Sequence, residues 1–460
     1  FNPMNVGDSG FGSGWTLNLT QYTPANNLLH LHTGESFKVT AGDAGDGTGL
    51  ALRERKLASF HLYQHGDGWR VVHKAGMIEL LELQGPSDNR VALPTRVLAP
   101  TGHGITLSYA NFQGAPCLTG IVDDTGLSLL AIRYTSSLVT IDLHPVSGPG
   151  GTPLASYQIQ LDSRFSPPQR LPHTIVLPGP DQASWRLAYQ QVRGVVCLSE
   201  VSTPVGGVER IAYNDEGHRF PSDAYDPLPR VTRHTIVPGF DQPDMVTTYS
   251  YTSNNFLGFG SGITWRDDGE DNLYKNTDSR FSYGSTASYL ADGQPLRSIT
   301  RTFNRFHLLT LQRTEQAHEV FDEGSGQPRR ETCVEETQTT YHELPNLTFE
   351  QQPAYFQLPR VQSQRWSVLE DLARRREEVV ITHYDEHGNL TLESQAAPPV
   401  YQGEALDEAR TLAGALRTQY SYYPREGEGD DCPADPDAFV RHRKTATQLP
   451  AETSEGQADP

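Results

Sequence analysis

Apolar and polar residues alternate with a period of two in short blocks along this chain. Ile105-Thr106-Leu107-Ser108-Tyr109, Ser184-Trp185-Arg186-Leu187-Ala188-Tyr189 and Val246-Thr247-Thr248-Tyr249-Ser250-Tyr251 are the clearest. Successive side chains of a strand point to opposite faces, so these blocks, rich in β-branched and aromatic residues, predict strands with one buried face. Turn-forming clusters punctuate them: Asp124-Thr125-Gly126, Pro178-Gly179-Pro180, Gly206-Gly207 and Asp267-Asp268-Gly269. Strands spaced every ~8–12 residues between such turns predict an all-β, antiparallel architecture. Helical patterning is confined to two stretches. Residues 368–379 are rich in Glu, Arg and Leu, and residues 404–416 set Leu406, Ala409, Leu412, Ala413 and Leu416 near helical spacing. A charged insertion between strands gives the same pattern, so each stretch reads either way.

The blocks recur over a longer period. Leu93-Pro94-Thr95-Arg96-Val97-Leu98-Ala99-Pro100 is followed by Tyr109, Gly114, Cys117-Leu118, Gly126 and Tyr134. The same order returns about 80 residues later as Leu171-Pro172-His173-Thr174-Ile175-Val176-Leu177-Pro178, then Tyr189, Gly194, Cys197-Leu198, Gly206 and Tyr213. A third start at Leu228-Pro229-Arg230-Val231 runs to Tyr251, and a fourth at Leu358-Pro359-Arg360-Val361 runs to Tyr384. Self-similarity of this kind predicts one supersecondary unit used repeatedly.

Composition then removes whole classes of function. The 460 residues include 41 Gly and 32 Pro, short of a disordered or collagen-like composition. No apolar run approaches the ~18 residues of a membrane-spanning helix. A net charge of −19 argues against a nucleic-acid binder, which carries a basic footprint. Four widely spaced cysteines, Cys117, Cys197, Cys333 and Cys432, form neither a disulfide framework nor a zinc motif and read as separate thiols.

The densest copy of the repeat, Ile381-Thr382-His383-Tyr384-Asp385-Glu386-His387-Gly388-Asn389-Leu390, resembles the YD repeat of the RHS family, whose core is Tyr-Asp-x-x-Gly-Asn. Physically such a motif is a hairpin: a rigid strand tyrosine, two side chains that bond the turn backbone, and a glycine that adopts positive φ. Ile211-Ala212-Tyr213-Asn214-Asp215-Glu216-Gly217-His218 reads as a degenerate copy. Phe1-Asn2-Pro3 and Gly10-Phe11-Gly12-Ser13-Gly14-Trp15 look like the opening of RHS and Tc-toxin B/C-type shells. Phe256 to Gly262, Asp271-Asn272-Leu273-Tyr274, Gln352 to Pro359 and Cys432 to Pro436 are similar to the same chains. The resemblance implies a YD/RHS-repeat ribbon spiralling into part of a hollow cocoon that encloses a toxic C-terminal polypeptide. It places a shell segment at 1–425 and an acidic, Pro-rich linker or further shell at 426–460. Tyr384, Asp385, Gly388 and Asn389 would carry the repeat turn, and Tyr109, Tyr189, Tyr213 and Tyr251 its strands.

The resemblance also implies partners: the remaining shell, the toxic cargo and a component of a delivery machine. Synthesis in a bacterial cytoplasm followed by secretion or delivery to a target cell goes with them. One departure matters. The family's self-cleaving aspartate core ends in an Asp-Pro-x-Gly signature, and the nearest stretch, Asp435-Pro436-Asp437-Ala438, has Ala438 in place of glycine. The chain therefore reads as the first part of a shell without protease or cargo, and as no enzyme.

No catalytic, cofactor or metal residue is assigned from the sequence. His30 and His32 share a strand face, as do His61 and His65, with His73 nearby, but no HExxH or Cys/His cluster exists, so they read as surface or lumen-facing polar residues. Asp43 to Gly49 and Asp267 to Asn272 are acidic turns without EF-hand spacing. Cys197 follows an apolar strand, where a buried, inert thiol is the default. Two other functions fit an all-β chain: a carbohydrate-binding or adhesive protein, with exposed aromatic platforms, and a β-rich glycosidase, with a carboxylate pair ~5–10 Å apart.

Overall fold

The computed structural model describes residues 1–5, 7–43, 49–291, 293–322, 324, 326–403 and 405–450. The acidic stretch Asp43 to Gly49 falls largely outside them. Among the described residues nearly all regular structure is β: 28 strands lie in antiparallel sheet, and a two-stranded pair stands apart. The chain forms two compact units, Phe1–Ile211 with Ile236–Asp244 and Pro436–Phe439, and Ala212–Thr235 with Met245–Asp435 and Val440–Pro460.

In the first unit every strand from Phe60–His65 to Val195–Ser202 pairs antiparallel with its sequence neighbour. Tyr22 of the strand Gln21–Thr23 pairs with Ala92, tying the start of the unit to the strand Val91–Leu98. Two apolar clusters fill it. One gathers Tyr22, Leu29, Phe60, Leu62, Val71, Leu81 and Ala92. The other gathers Phe11, Leu107, Leu118, Ile132, Val139 and Leu161. The predicted strand blocks at 105–109 and 184–189 lie inside Gly104–Phe112 and Ser184–Val192.

The second unit repeats the pattern with longer strands. Ser282–Ala291, Gln294–Asn304, Leu309–Asp322, Gln327–Tyr341, Pro359–Val368, Asp371–Tyr384 and Leu390–Ala396 pair in chain order. Leu416–Tyr422 and Arg443–Leu449 continue the ladder. Its cores gather Phe306, Phe349 and Phe356, and Val361, Val379 and Ile381.

The two stretches that read either way are decided here. Residues 368–379 are not a helix: Asp371–Tyr384 is a strand, and Glu377, Val379 and Ile381 are buried in alternation along it. Its charged residues are satisfied across the ladder, where Arg365 faces Glu377. Of 404–416 only Glu408–Leu412 is helical, a single turn capped by Asp407, whose Oδ1 accepts the Arg410 amide at 3.1 Å.

Candidate functional site

The repeat acquires a physical meaning in the ladder registers. Leu81 pairs with Pro94 and Leu80 with Arg96, leaving Thr95 as a β-bulge. In the second copy Leu161 pairs with Pro172 and Gln160 with Thr174, leaving His173. In the fourth, Tyr341 pairs with Pro359 and Thr340 with Val361, leaving Arg360. Proline has no N–H for a ladder, so inside a sheet it is tolerated at a bulge. The Leu-Pro start of the repeat is that bulge.

A bulge interrupts the ladder around the carbonyl that precedes it, and the next strand supplies a donor. The Tyr109 hydroxyl donates to the Pro94 carbonyl at 2.7 Å, and the Tyr189 hydroxyl to the Pro172 carbonyl at 2.8 Å. Thr382 Oγ1 takes that role toward the Pro359 carbonyl at 2.6 Å. The rule extends past the prolines. Tyr134, Tyr341 and Tyr422 donate to the carbonyls of Leu118, Leu309 and Leu390, each the last paired residue before a register shift. Burial pushes the phenols of Tyr109, Tyr134 and Tyr189 well above the usual range, which keeps them neutral donors. Tyr251 donates to the Val231 carbonyl at 2.8 Å, two residues beyond Pro229. Tyr341 and Tyr422 were missed in the sequence, because their signal is a distance to a bulge on another strand.

The turn from Tyr384 to Asn389 is built from its sequence residue by residue. Asp385 Oδ1 accepts the His387 amide at 2.9 Å and the Asn389 amide at 2.8 Å, while Oδ2 accepts Asn389 Nδ2 at 3.0 Å. The Gly388 amide bonds the Asp385 carbonyl at 3.0 Å, and Gly388 sits at φ +74°. Buried Asn389 donates its second proton to the Val440 carbonyl at 3.0 Å. Tyr384 pairs with Leu390 and lies edge-on to His342, with ring centroids 5.9 Å apart. The same five-residue turn forms at Asp123, where Oδ1 accepts the amides of Thr125 and Leu127 at 2.9 Å each. It forms again at Asn304, where Oδ1 accepts the amides of Phe306 and Leu308 at 3.0 Å each.

The degenerate copy does not make this turn. Val208–His218 runs through it as one strand, with Tyr213 half-buried inside it. There Gly217 serves a close backbone approach: a Cβ would lie 1.9 Å from the Leu228 carbonyl oxygen.

The two Gly-Phe-Gly-Ser-Gly segments share one backbone signature. Gly10, Gly12 and Gly14, like Gly258, Gly260 and Gly262, all have positive φ. In the first unit Asp8 Oδ1 accepts the amides of Gly10 and Gly12 at 2.8 and 2.9 Å. Asp8 Oδ2 pairs at 2.8 Å with Arg170, a guanidinium that is 9% exposed and also donates to the carbonyls of Ser136, Thr135 and Gly10. A cavity of about 270 Å³ beside this segment is lined by Phe11, Leu19, Leu93, Tyr109 and Leu118, and Asp8 is its one carboxylate.

The candidate chemical groups distribute as follows. All four cysteines are free, and burial pushes the Cys117 and Cys197 thiols up to about 11. His61, expected to face a surface or lumen, is 1% exposed and stacked on Phe439 at 4.2 Å, and His32, expected on one strand face with His30, lies in the turn after the strand Leu28–His30. His32 and His73, distant in sequence, converge on Glu79. His73 ends the strand Gly68–His73 and Glu79 is the second residue of Ile78–Gln84, so the hairpin puts both on one face. His73 Nε2 lies 3.0 Å from Glu79 Oε2, and His32 Nδ1 lies 3.6 Å from Glu79 Oε1. Thr20 Oγ1, fully buried, donates to Glu79 Oε2 at 2.7 Å. Glu79 itself is 4% exposed. This is the one group of three or more possible ligands found together among the described residues.

No protein-family profile matches the chain, and no curated protein matches it significantly. Among solved structures, one titled "Crystal Structure of TcdB2-TccC3" is similar over 89% of this chain and 26% of that one, at 8% identity and a TM-score of 0.20. The chain thus spans about a quarter of the length of that chain. No helix among the described residues is long and apolar enough to cross a membrane.

Proposed function

We propose that this chain is a structural segment of an RHS/YD-repeat toxin shell, whose role is to enclose a toxic C-terminal polypeptide before delivery. The observation that carries the reading is the recurrent strand–bulge–strand unit locked by a tyrosine hydroxyl, together with the Tyr384-Asp385-Glu386-His387-Gly388-Asn389 turn that it flanks. Such a unit makes a long ribbon of sequence-neighbour pairs, and a ribbon is suited to walls rather than to a catalytic cleft. The repeat residues Tyr109, Tyr189, Tyr213, Tyr251, Tyr384, Asp385, Gly388 and Asn389 hold the wall and perform no chemistry. The partners are the rest of the shell and its cargo, made in a bacterial cytoplasm and then exported.

The test is co-production of this chain with a downstream toxic polypeptide, the cargo that the reading assigns to it, followed by protease challenge. A downstream segment that copurifies with the chain and survives until the complex is denatured supports an enclosing wall. A downstream segment cut as fast in the mixture as alone overturns it.

A further inference from the structure

We propose that His32, His73 and Glu79 form a binding site for one divalent transition-metal ion, with zinc the best match. Two imidazole nitrogens and a carboxylate oxygen are the donor set that zinc takes in three-ligand sites, at ~2.0–2.2 Å per bond. Tetrahedral ligands at such distances stand roughly 3.3–3.5 Å from one another. The observed separations, 3.0 Å from His73 Nε2 to Glu79 Oε2 and 3.6 Å from His32 Nδ1 to Glu79 Oε1, bracket that value. All three donor atoms lie within 4.8 Å of one another.

A simple hydrogen-bonded cluster accounts for only half of this arrangement. Glu79 Oε2 is served by Thr20 and His73, both at hydrogen-bond distance. Oε1 faces His32 Nδ1 across 3.6 Å, beyond a hydrogen bond, and that nitrogen has otherwise a long contact of 3.4 Å to Thr20 Oγ1, so a shared cation would fill the gap between imidazole and carboxylate. The two imidazoles are steeply inclined, 68° between planes with centroids 5.1 Å apart, so their nitrogens approach the carboxylate from different directions.

The surroundings are those of a supported site. Thr20 Oγ1 donates to Glu79 and accepts the His32 backbone amide at 3.2 Å, fixing both ligands from one residue. The His73 amide bonds the Met77 carbonyl at 2.9 Å, holding the strand end that carries the second imidazole. His32 is 35% exposed, which leaves a path for the ion and room for a water as fourth ligand. The sequence concealed the site because its residues lie apart in the chain, His32 in the turn that follows the strand Leu28–His30 and His73 at the end of Gly68–His73, and because Glu79 stands in an ordinary alternating strand, Ile78–Gln84.

The experiment uses the whole chain, stripped with a chelator and titrated with Zn²⁺ by calorimetry and with Co²⁺ by visible absorption. One equivalent should bind per chain, and Co²⁺ should give the intense ligand-field bands of a four-coordinate site. With 16 histidines in the chain, weak binding elsewhere is expected, so variants decide. His32→Ala and Glu79→Gln should remove the one-equivalent phase and the Co²⁺ bands, and Thr20→Ala should weaken binding ~10–100-fold. Far-UV circular dichroism and the urea midpoint of His32→Ala, a partly exposed position, confirm that the fold is intact. The proposal is overturned if the wild-type chain shows no one-equivalent phase, or if folded His32→Ala binds as tightly as wild type.

Discussion

A single phenolic oxygen does much of the work in the first two copies of the repeat. Tyr189 donates to the Pro172 carbonyl and accepts a bond from Trp15 Nε1 at 3.1 Å, so removing its hydroxyl strands two polar groups in a half-buried place. An unsatisfied buried group costs about 1–3 kcal/mol. Tyr189→Phe should therefore lower stability by about 1–2 kcal/mol with the ring contacts retained, seen as a shift in the urea midpoint. A midpoint within error of wild type would show that the hydroxyl is not what holds the bulge. Gly388 makes a comparable point for the turns. Its φ of +74° is open to glycine and strained for a β-branched residue. Gly388→Val should destabilise by roughly 1–3 kcal/mol, and Gly388→Asn by distinctly less, since asparagine tolerates that region. Equal midpoints for the two variants would contradict the turn as described.

At the scale of the element, the long strands of the second unit carry cross-strand ion pairs beside their apolar contacts. Glu377 lies in Asp371–Tyr384 and faces Arg365 across the ladder. Burial alone would push its carboxyl up, yet bonds from Tyr401, Arg375, Arg365 and Ser363 outweigh this and bring it down to about 2. A carboxyl whose pKa is lower in the folded than in the unfolded chain stabilises the fold at neutral pH. That contribution is complete above the unfolded value of 4.5 and is lost as pH falls toward 2. Glu377→Gln should accordingly reduce the urea midpoint at pH 7 and flatten its fall between pH 4.5 and 2. Parallel curves for variant and wild type would mean that Glu377 does not titrate as its partners require. The same network explains why 368–379 could be mistaken for a helix. Glu and Arg are good helix formers, and only the partner strand Pro359–Val368 turns their alternation into cross-strand pairs.

For the whole molecule, the −19 charge and the exposed apolar residues act against each other. Phe240, Val205 and Phe321 are 88%, 81% and 69% exposed. Mutual repulsion keeps copies apart while the Debye length is long, and salt shortens it from ~30 Å at 0.01 M to ~3 Å at 1 M. Light scattering should then report self-association that rises with salt, and Phe240→Ser with Phe321→Ser should suppress the rise. An assembly state independent of both salt and these substitutions would contradict the balance. The neighbour-to-neighbour pairing that runs through each unit also makes the partner of most strands the next strand in the chain, which favours stepwise propagation of folding as in other repeat proteins.

What the sequence determined by itself was local. Period-two blocks gave the strands at 105–109, 184–189 and 246–251, and Asp124 to Gly126 and Asp385 to Asn389 gave turns, because backbone preference and short-range hydrogen bonds decide both. The 80-residue repeat and its tyrosines were visible for the same reason, as repeated local chemistry. The tertiary structure decided whatever depends on a second strand. It made Leu-Pro a bulge and the tyrosine hydroxyl its cap, because a ladder register exists only between two chains of backbone. It carried Tyr213 through a continuous strand where the motif alone suggested a turn, since Gly217 lies directly against the Leu228 carbonyl. It also brought His32, His73 and Glu79 to one point. Convergence of that kind is fixed by how the turn after Leu28–His30 meets the hairpin of Gly68–His73 and Ile78–Gln84, and no spacing along the chain records it.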